Sequence, residues 1–262
     1  MSEKIRVLIS GACGRMGQET CRAVSGASDM VIAGAVDVTN VGKKLSEVIS
    51  GIDSDAEVIG DLTAAIDAVK PDVMVDFTAP SVVMGNLRTA MECKIPAVVG
   101  TTGITQEDLA ELMDLSAKNA TPALIVPNFA IGAVLMMKFA AEAAKYMPSV
   151  EIIELHHDKK LDAPSGTSIK TAEMIAKAKG TEKREQGTVP AARGDEHFGV
   201  QIHSVRLPGF VAHQEVIFGG QGQTLTIRHD SIDRTSFMPG VLLAIRRVRG
   251  LNGVVYGLDN IL

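Results

Sequence analysis

Tryptophan is absent from the 262-residue chain, and tyrosine and phenylalanine together number only nine. Proteins that hold single-stranded nucleic acid usually stack its bases on aromatic side chains, so this class of ligand is disfavoured. The net charge of −5 is also unfavourable for binding nucleic acid or anionic lipid. We therefore predict no nucleic-acid partner and no membrane partner.

Cysteines and long apolar runs are also scarce. The three cysteines, Cys13, Cys21 and Cys93, form an odd set without a CxxC motif, which is typical of a reduced cytosolic chain. The most apolar stretch, 129–137, is far shorter than the ~20 residues that span a bilayer, and the apolar run near the start is too short for a signal peptide. These features predict a cytoplasmic protein.

What the chain does contain, up to about residue 127, is a regular alternation of strand and helix patterns. Short β-branched runs predict strands, and the amphipathic stretches between them predict helices. The predicted strands are 5–10, 31–36, one near 58, 72–77, 96–100 and 123–126, and the predicted helices are 15–25, 41–50, 62–69, 81–94 and 106–119. This alternation predicts an α/β fold with a parallel sheet covered on both faces.

The pattern changes after Pro127. A helix at 131–146, a strand at 150–155 and a helix at 168–179 precede a polar stretch, 181–199, which we interpret as a long loop; strands follow at 200–206, 213–218 and 223–228. Strands without intervening helices predict a mixed or antiparallel sheet and a second, α+β domain. A helix after Pro239 and an apolar tail at 253–258 are assigned to the first domain. The predicted domains are therefore 1–127 with 240–262, and 128–239.

A glycine-rich segment, Gly11-Ala-Cys-Gly14-Arg-Met-Gly17, connects the first predicted strand to the first predicted helix. The N–H groups of such a turn can approach a pyrophosphate at the positive end of the helix, and Arg15 can add a charge-assisted contact. Asp37, twenty residues after Gly17, can accept hydrogen bonds from a ribose. A merely tight turn beside an exposed aspartate is the alternative, but the combination of strand, helix and carboxylate favours a dinucleotide cofactor.

The choice between NADH and NADPH depends on the surroundings of Asp37. Its carboxylate repels a 2′-phosphate, and the next residue is Val38 rather than an arginine that would bind one. Lys43 and Lys44 could supply that charge instead, or could simply be solvated. We predict NADH as the preferred cofactor, with NADPH also usable.

Small polar residues follow three later strands, in the segments 76–78, 100–103 and 127–129. Ligands of open α/β sheets bind outside the carboxyl ends of the strands. We predict that the nicotinamide and its ribose lie along these three segments.

The segment ELHHDKKLDAPSGT, at 154–167, runs from a strand end to a helix start. The helix start predicts a binding site for a carboxylate, Lys160 can bind a carboxylate or donate a proton, and a histidine can transfer a proton at neutral pH. Helix capping by serine, solvated lysines and a metal held within 154–158 are the alternatives. Contiguous ligands are geometrically poor, so no metal is predicted. Together with a dinucleotide domain, this site predicts reduction of a carboxylated substrate by hydride from nicotinamide and a proton from protein or water.

These motifs resemble the 4-hydroxy-tetrahydrodipicolinate reductase (dihydrodipicolinate reductase) family over nearly the full chain. The matching segments are GACGRMG at 11–17, DFTAP at 76–80, GTTG at 100–103, PNFAIG at 127–132 and ELHHDKKLDAPSGT at 154–167. The resemblance implies a Rossmann-like domain, a substrate-binding and oligomerisation domain with an open mixed sheet, and a homotetramer. It also implies NAD(P)H-dependent reduction of the dehydrated imine of 4-hydroxy-tetrahydrodipicolinate, a small dicarboxylate, to tetrahydrodipicolinate in diaminopimelate and lysine biosynthesis.

The resemblance further implies roles for individual residues. It makes His156 a proton donor and acceptor and Lys160 a proton donor. Substrate binding is implied for His157, Ser165, Gly166 and Thr167. Cofactor binding is implied for Gly11, Ala12, Cys13, Gly14, Arg15, Met16, Asp37, Phe77, Gly100, Thr101, Thr102, Val126, Pro127, Asn128 and Phe129. Some members have arginine after the acidic residue, so Val38 leaves the phosphate preference open.

Two other functions fit the same residues: another nicotinamide-dependent reductase of a small amino or hydroxy acid, and an NAD(H)-sensing regulator without catalytic activity. Assays with a panel of substrates distinguish this other reductase from the one that the resemblance implies. The regulator needs a DNA- or partner-binding element. The basic cluster Arg246-Arg247-x-Arg249 is a weak candidate for such an element, because it lies near a predicted helix end, where cations are favourable in any case.

Overall fold

The computed structural model describes residues 3–181 and 191–262. The chain divides into two compact units, Met1–Phe129 with Phe237–Leu262, and Ala130–Ser236. The domains predicted from the sequence have slightly different boundaries, after residues 127 and 239. No helix in the described part of the chain is long and apolar enough to cross a membrane.

The described residues form twelve strands and eight α-helices. The strands are β1 (Ile5–Ser10), β2 (Met30–Val36), β3 (Val58–Ile59), β4 (Val73–Asp76), β5 (Ala97–Val99), β6 (Ala123–Ile125), β7 (Ser149–His156), β8 (Asp195–His197), β9 (Val200–Arg206), β10 (Ala212–Gly220), β11 (Gln223–Ser231) and β12 (Val254–Tyr256). The helices are α1 (Arg15–Gly26), α2 (Leu45–Val48), α3 (Leu62–Val69), α4 (Pro80–Glu92), α5 (Gln106–Asn119), α6 (Ile131–Ala144), α7 (Gly166–Lys179) and α8 (Met238–Val248).

The first unit contains a seven-stranded parallel sheet in the order β12-β6-β5-β4-β1-β2-β3. Its strands are short aliphatic and β-branched runs, which suit a sheet buried on both faces. Helices α1 and α8 pack together on the sheet, and α3, α4 and α5 form a second group. A core cluster joins Leu8 and Met74 of the sheet to Leu87 and Leu112 of this second group, all fully buried. The predicted Rossmann-like α/β unit is therefore confirmed.

The second unit contains a five-stranded sheet in the order β11-β10-β7-β9-β8. Strands β7 and β9 are parallel, whereas the other neighbouring pairs are antiparallel. Helices α6 and α7 pack against each other and against this sheet. Ile152, Val216 and Phe218 are fully buried at alternate positions, as expected for a sheet covered on one face. The predicted α+β unit with an open mixed sheet is confirmed.

The prediction of one long loop over 181–199 was wrong in its last part. Asp195–His197 form β8, which pairs antiparallel with β9 at the sheet edge. Aspartate and glutamate have low β-propensity, so the sequence gives no strand pattern here; pairing with an existing edge makes the strand. Residues 182–190 of the same stretch lie outside the described residues.

Candidate active site

The strand order of the first unit reverses between β1 and β4, and the loops that follow these strands meet there. Gly11, after β1, has φ +80°, and a Cβ at this position would lie only 2.4 Å from the carbonyl oxygen of Phe77. Such a reversal opens a crevice at the carboxyl edge of the sheet, where ligands of open α/β sheets bind. Glycine allows the two loops to approach closely at this point.

Helix α1 begins directly in this crevice. Gly14 occupies its N-cap position and has no side chain to cap the first turn, so the N–H groups there are left to water or an anion. A Cβ at Gly17 would lie 2.0 Å from the carbonyl oxygen of Gly11, which makes glycine necessary for the tight turn. Arg15 is exposed beside the helix start. The turn therefore fits a diphosphate.

Asp37 follows β2 and is bonded to the glycine-rich turn. Its Oδ2 accepts a hydrogen bond from the N–H of Cys13 at 2.9 Å, and its Oδ1 accepts from the N–H and hydroxyl of Thr39 at 2.9 and 2.8 Å. These contacts hold the carboxylate next to the start of α1. Val38 is 90% exposed and adds no charge. The arrangement fits a ribose diol beside the diphosphate.

Asp76, at the end of β4, is fully buried and connects three parts of the same edge. Its Oδ1 accepts hydrogen bonds from the hydroxyls of Thr101 at 2.6 Å and Thr78 at 2.7 Å. Its Oδ2 accepts from the side-chain amide of Asn86, in α4, at 2.7 Å. All of these donors are neutral. They fix the loops after β4 and β5 relative to each other.

The remaining predicted cofactor residues lie along the same edge of the first unit. The rings of Phe77 and Phe129, after β4 and β6, have centroids 5.5 Å apart at an interplanar angle of 55°. Thr101 and Val126 are buried, whereas Thr102 and Pro127 are exposed. Thirteen of the fifteen predicted cofactor residues lie in loops at the carboxyl ends of β1, β2, β4, β5 and β6, and the other two, Arg15 and Met16, begin α1.

In the second unit, His156 ends β7 and contacts a buried carboxylate. Its Nδ1 is hydrogen-bonded to Oε2 of Glu154, which is fully buried. Arg206, at the end of β9, donates from Nη2 to Oε1 at 2.7 Å and from Nη1 to Oε2 at 2.9 Å. Burial acts to raise the pKa of the Glu154 carboxyl, but the hydrogen bonds, that of His156 foremost, outweigh it and lower the pKa to about 2.

Lys160 lies in the loop after β7 and is paired with a carboxylate. Its Nζ donates to both carboxylate oxygens of Asp162 at 2.7 Å. The hydrogen bond from Lys160, opposed by partial desolvation, lowers the pKa of Asp162. Arg206 also donates from Nη2 to the backbone carbonyl of Asp162 at 2.7 Å, so the same arginine contacts both Glu154 and the loop. His157 is exposed.

Helix α7 begins at Gly166, two residues before the predicted start, and Ser165 is its N-cap. The Ser165 hydroxyl accepts from the N–H of Ser168, so this serine caps the helix. Ser168 donates to Gln214 of β10 at 2.9 Å, and Gln214 donates to Thr171 at 2.8 Å. These buried bonds fix the helix start on the sheet. A Cβ at Gly166 would meet nothing within 4 Å, which leaves space for a ligand.

Sequence reasoning missed Arg206 and Gln214 and considered Glu154 only within the metal alternative. Only the strand register reveals Arg206, because this residue of β9 lies beside His156 of β7 although the two are 50 residues apart in the sequence. Gln214 is in register with Glu154 in the same way. Across the described residues, 3–181 and 191–262, no group of three or more His, Cys, Asp and Glu side chains could hold a metal ion.

Comparison with known proteins gives two family matches that together cover most of the chain. The model of the dihydrodipicolinate reductase N-terminus matches residues 5–129, and that of the C-terminus matches 132–262. The chain is 51% identical to 4-hydroxy-tetrahydrodipicolinate reductase of Listeria monocytogenes serotype 4b (strain F2365), covering 98% of this chain and 100% of that protein. It is 48% identical to the protein of that name from Syntrophomonas wolfei, covering both chains completely.

Among solved structures, dipicolinate-bound dihydrodipicolinate reductase from Paenisporosarcina sp. TG-14 is similar over 99% of this chain and 100% of that chain. The TM-score is 0.86 and the sequence identity is 46%. An amine dehydrogenase from Mycobacterium smegmatis has a TM-score of 0.67 at 13% identity, which shows a shared fold alone.

The Asp76 network predicts a measurable loss of stability in the Asp76→Asn variant. The amide replaces an acceptor oxygen with a donor, so at least one of the three donating side chains loses its buried acceptor. We expect the free energy of unfolding to fall by about 1–3 kcal/mol in urea denaturation. Asp67→Asn, which breaks an exposed pair with Lys70, is the matched control and should cost no more than about 0.5 kcal/mol. Equal losses would contradict the network.

Proposed function

The chain belongs to the dihydrodipicolinate reductase family, and from that premise we propose how its own residues carry out the reaction. The protein is an NAD(P)H-dependent oxidoreductase, a 4-hydroxy-tetrahydrodipicolinate reductase of diaminopimelate and lysine biosynthesis, and its first unit is the nicotinamide-nucleotide-binding domain. Neither alternative function accounts for family matches that extend over both units.

We propose that the substrate is the dehydrated imine of 4-hydroxy-tetrahydrodipicolinate, which is reduced to tetrahydrodipicolinate. Bound NADH or NADPH supplies a hydride to this substrate when present, and one proton completes the reduction. The proposal rests on one observation. A single segment, 154–167, combines a histidine on a buried carboxylate, a lysine paired with a carboxylate and a helix N-terminus.

Carboxylate binding is assigned to the lysine and to the start of α7. Lys160 binds a carboxylate in this structure, that of Asp162, so it can exchange it for a carboxylate of the substrate. The open space at Gly166 and the positive end of α7 favour a second one. Ser165, Thr167 and the exposed His157 complete the proposed substrate set. The dipicolinate bound to the Paenisporosarcina relative is a dicarboxylate, which supports a ligand of this chemistry.

Proton transfer is assigned to His156 and Lys160. With Nδ1 engaged by Glu154, His156 has Nε2 as the nitrogen that exchanges a proton with the substrate or with water. Lys160 carries ammonium protons and can donate one as the substrate becomes reduced. Glu154 remains anionic throughout, since its pKa is about 2.

Cofactor binding is assigned to the fifteen predicted residues at the carboxyl edge of the first unit. The start of α1 holds the diphosphate, and Asp37 accepts from the ribose hydroxyls. With a carboxylate at 37 and the uncharged Val38 next to it, we propose NADH as the preferred cofactor and NADPH as usable.

We also propose a homotetramer in the cytoplasm. The sheet face of the second unit opposite α6 and α7 carries four partly exposed aliphatic residues, Ile153, Leu155, Val205 and Ile217. A face of this kind favours a protein contact. Cell fractionation tests the location, since recovery in the membrane fraction would contradict it.

His156→Gln and Lys160→Ala test the roles of these two side chains. In an anaerobic NAD(P)H-oxidation assay with substrate made in situ by the preceding pathway enzyme, His156→Gln should lower kcat by ~10²–10⁴-fold with little change in KM. Lys160→Ala should lower kcat and also raise KM for the substrate, because it removes a carboxylate ligand. Lys159→Ala, which removes an adjacent exposed lysine, is the control and should keep wild-type kinetics. Wild-type rates from both test variants would remove the chemistry from this segment.

Asp37→Asn tests the cofactor assignment. The amide accepts ribose hydrogen bonds more weakly and no longer repels a 2′-phosphate, so KM should rise for NADH and rise less, or fall, for NADPH. A general loss of folding or activity would lower kcat/KM for both cofactors by the same factor, so the ratio of the two values is the measurement. An unchanged ratio would show that this carboxylate does not discriminate between them.

Light scattering after gel filtration tests the oligomer. The expected mass is four times the 27.7 kDa of one chain. Ile217→Asp should lower this mass, because it puts a charge on the proposed contact face, whereas Met113→Asp, at an exposed site on α5, should not. A wild-type protein that elutes as a single chain would contradict the tetramer.

A further inference from the structure

Three charged or titratable side chains lie on one face of the second sheet, beside α7. Glu154 and His156 are two positions apart on β7, so both point to the same face. Arg206 of β9 is in register with His156, and Ser204 of β9 is in register with Glu154. The parallel pairing of β7 with β9 therefore places Arg206 next to both Glu154 and His156.

Both carboxylate oxygens of Glu154 are hydrogen-bonded. Oε1 accepts from Nη2 of Arg206, and Oε2 accepts from Nη1 of Arg206 while it is also bonded to Nδ1 of His156. A bidentate Arg–carboxylate pair fixes both position and orientation of the carboxylate. Because Glu154 is fully buried, loss of Arg206 would leave the carboxylate without its cationic partner.

This arrangement goes beyond holding the fold, because Arg206 also donates to the carbonyl of Asp162 in the substrate loop. Resting on the proposed proton-transfer role of His156, we infer that Glu154 and Arg206 are its positioning residues. Glu154 accepts a hydrogen bond from Nδ1–H of His156 and leaves Nε2 for the reaction. Arg206 holds Glu154 and keeps this pair in a fixed relation to the loop of Lys160.

Groups other than Arg206 that surround Glu154 and His156 come from the loop, from β10 and from α7. In the loop, Lys160 and Asp162 pair with each other. The register neighbour of His156 on β10 is Ala212, and α7 presents the neutral Ser168 and Thr171 to the sheet.

Glu154→Gln tests the inference in the full-length protein. We expect kcat to fall by about 10- to 100-fold, as for outer partners that orient a functional histidine. The KM for NADH should not change, because the cofactor residues lie in the first unit. Glu111→Gln, which breaks an exposed Arg–Glu fork with Arg88, is the control and should not alter kcat.

A double-mutant cycle separates this inference from the proposed function. If Glu154 acts through His156, Glu154→Gln should cause no further loss of kcat in the His156→Gln background. Additive losses of kcat would overturn the positioning role. Wild-type activity of His156→Gln would instead overturn the proposed function.

If Glu154→Gln does not fold, Arg206→Lys can replace it in the double-mutant cycle with His156→Gln. Lysine retains the charge but lacks the fork that contacts both carboxylate oxygens and the Asp162 carbonyl. Arg206→Lys should lower kcat in the wild-type background and cause no further loss of kcat in the His156→Gln background. A full loss in both backgrounds would show a structural role only.

Discussion

A carboxylate can be buried only if hydrogen-bond donors surround it, and this requirement shapes both ligand-binding edges of the protein. Asp76 and Glu154 are each fully buried at or near the end of a strand. Their donors come from neighbouring strands, a helix and the loops that follow the strands. Because the charge is costly without these donors, each carboxylate fixes the position of the loops that leave its sheet.

The two carboxylates differ in the charge of their donors, and this difference follows the chemistry of each site. Asp76 is held by hydroxyl and amide groups, which set the geometry of a nucleotide-binding edge without adding a titrating group beside it. Glu154 is held by a guanidinium and a histidine. A charge-assisted fork holds the carboxylate in a stronger and more defined orientation, and the carboxylate in turn orients the imidazole ring. The second arrangement suits a proton-transfer site, which needs both a defined tautomer and a defined position.

The two helix starts to which we assign anion binding differ in how they are capped. At α1 a glycine N-cap leaves the first turn open, which suits a diphosphate that approaches the backbone closely. At α7 the Ser165 side chain caps the helix, and the open space lies at Gly166 instead. The Gln214 hydrogen bonds hold this helix start against β10, which preorganises it for the carboxylate that we propose binds there.

Local patterns in the sequence were sufficient to predict the β-branched strands, the glycine-rich turn before α1, and the 154–167 segment with His156 and Lys160. These signals predicted the fold class of both units and the family. Tertiary structure alone decided which distant residues complete the site. Arg206 reaches Glu154 through the register of β7 and β9, and β8 exists because an edge of β9 was available for pairing. Register and edge pairing depend on contacts between segments far apart in the chain, and no local pattern encodes them.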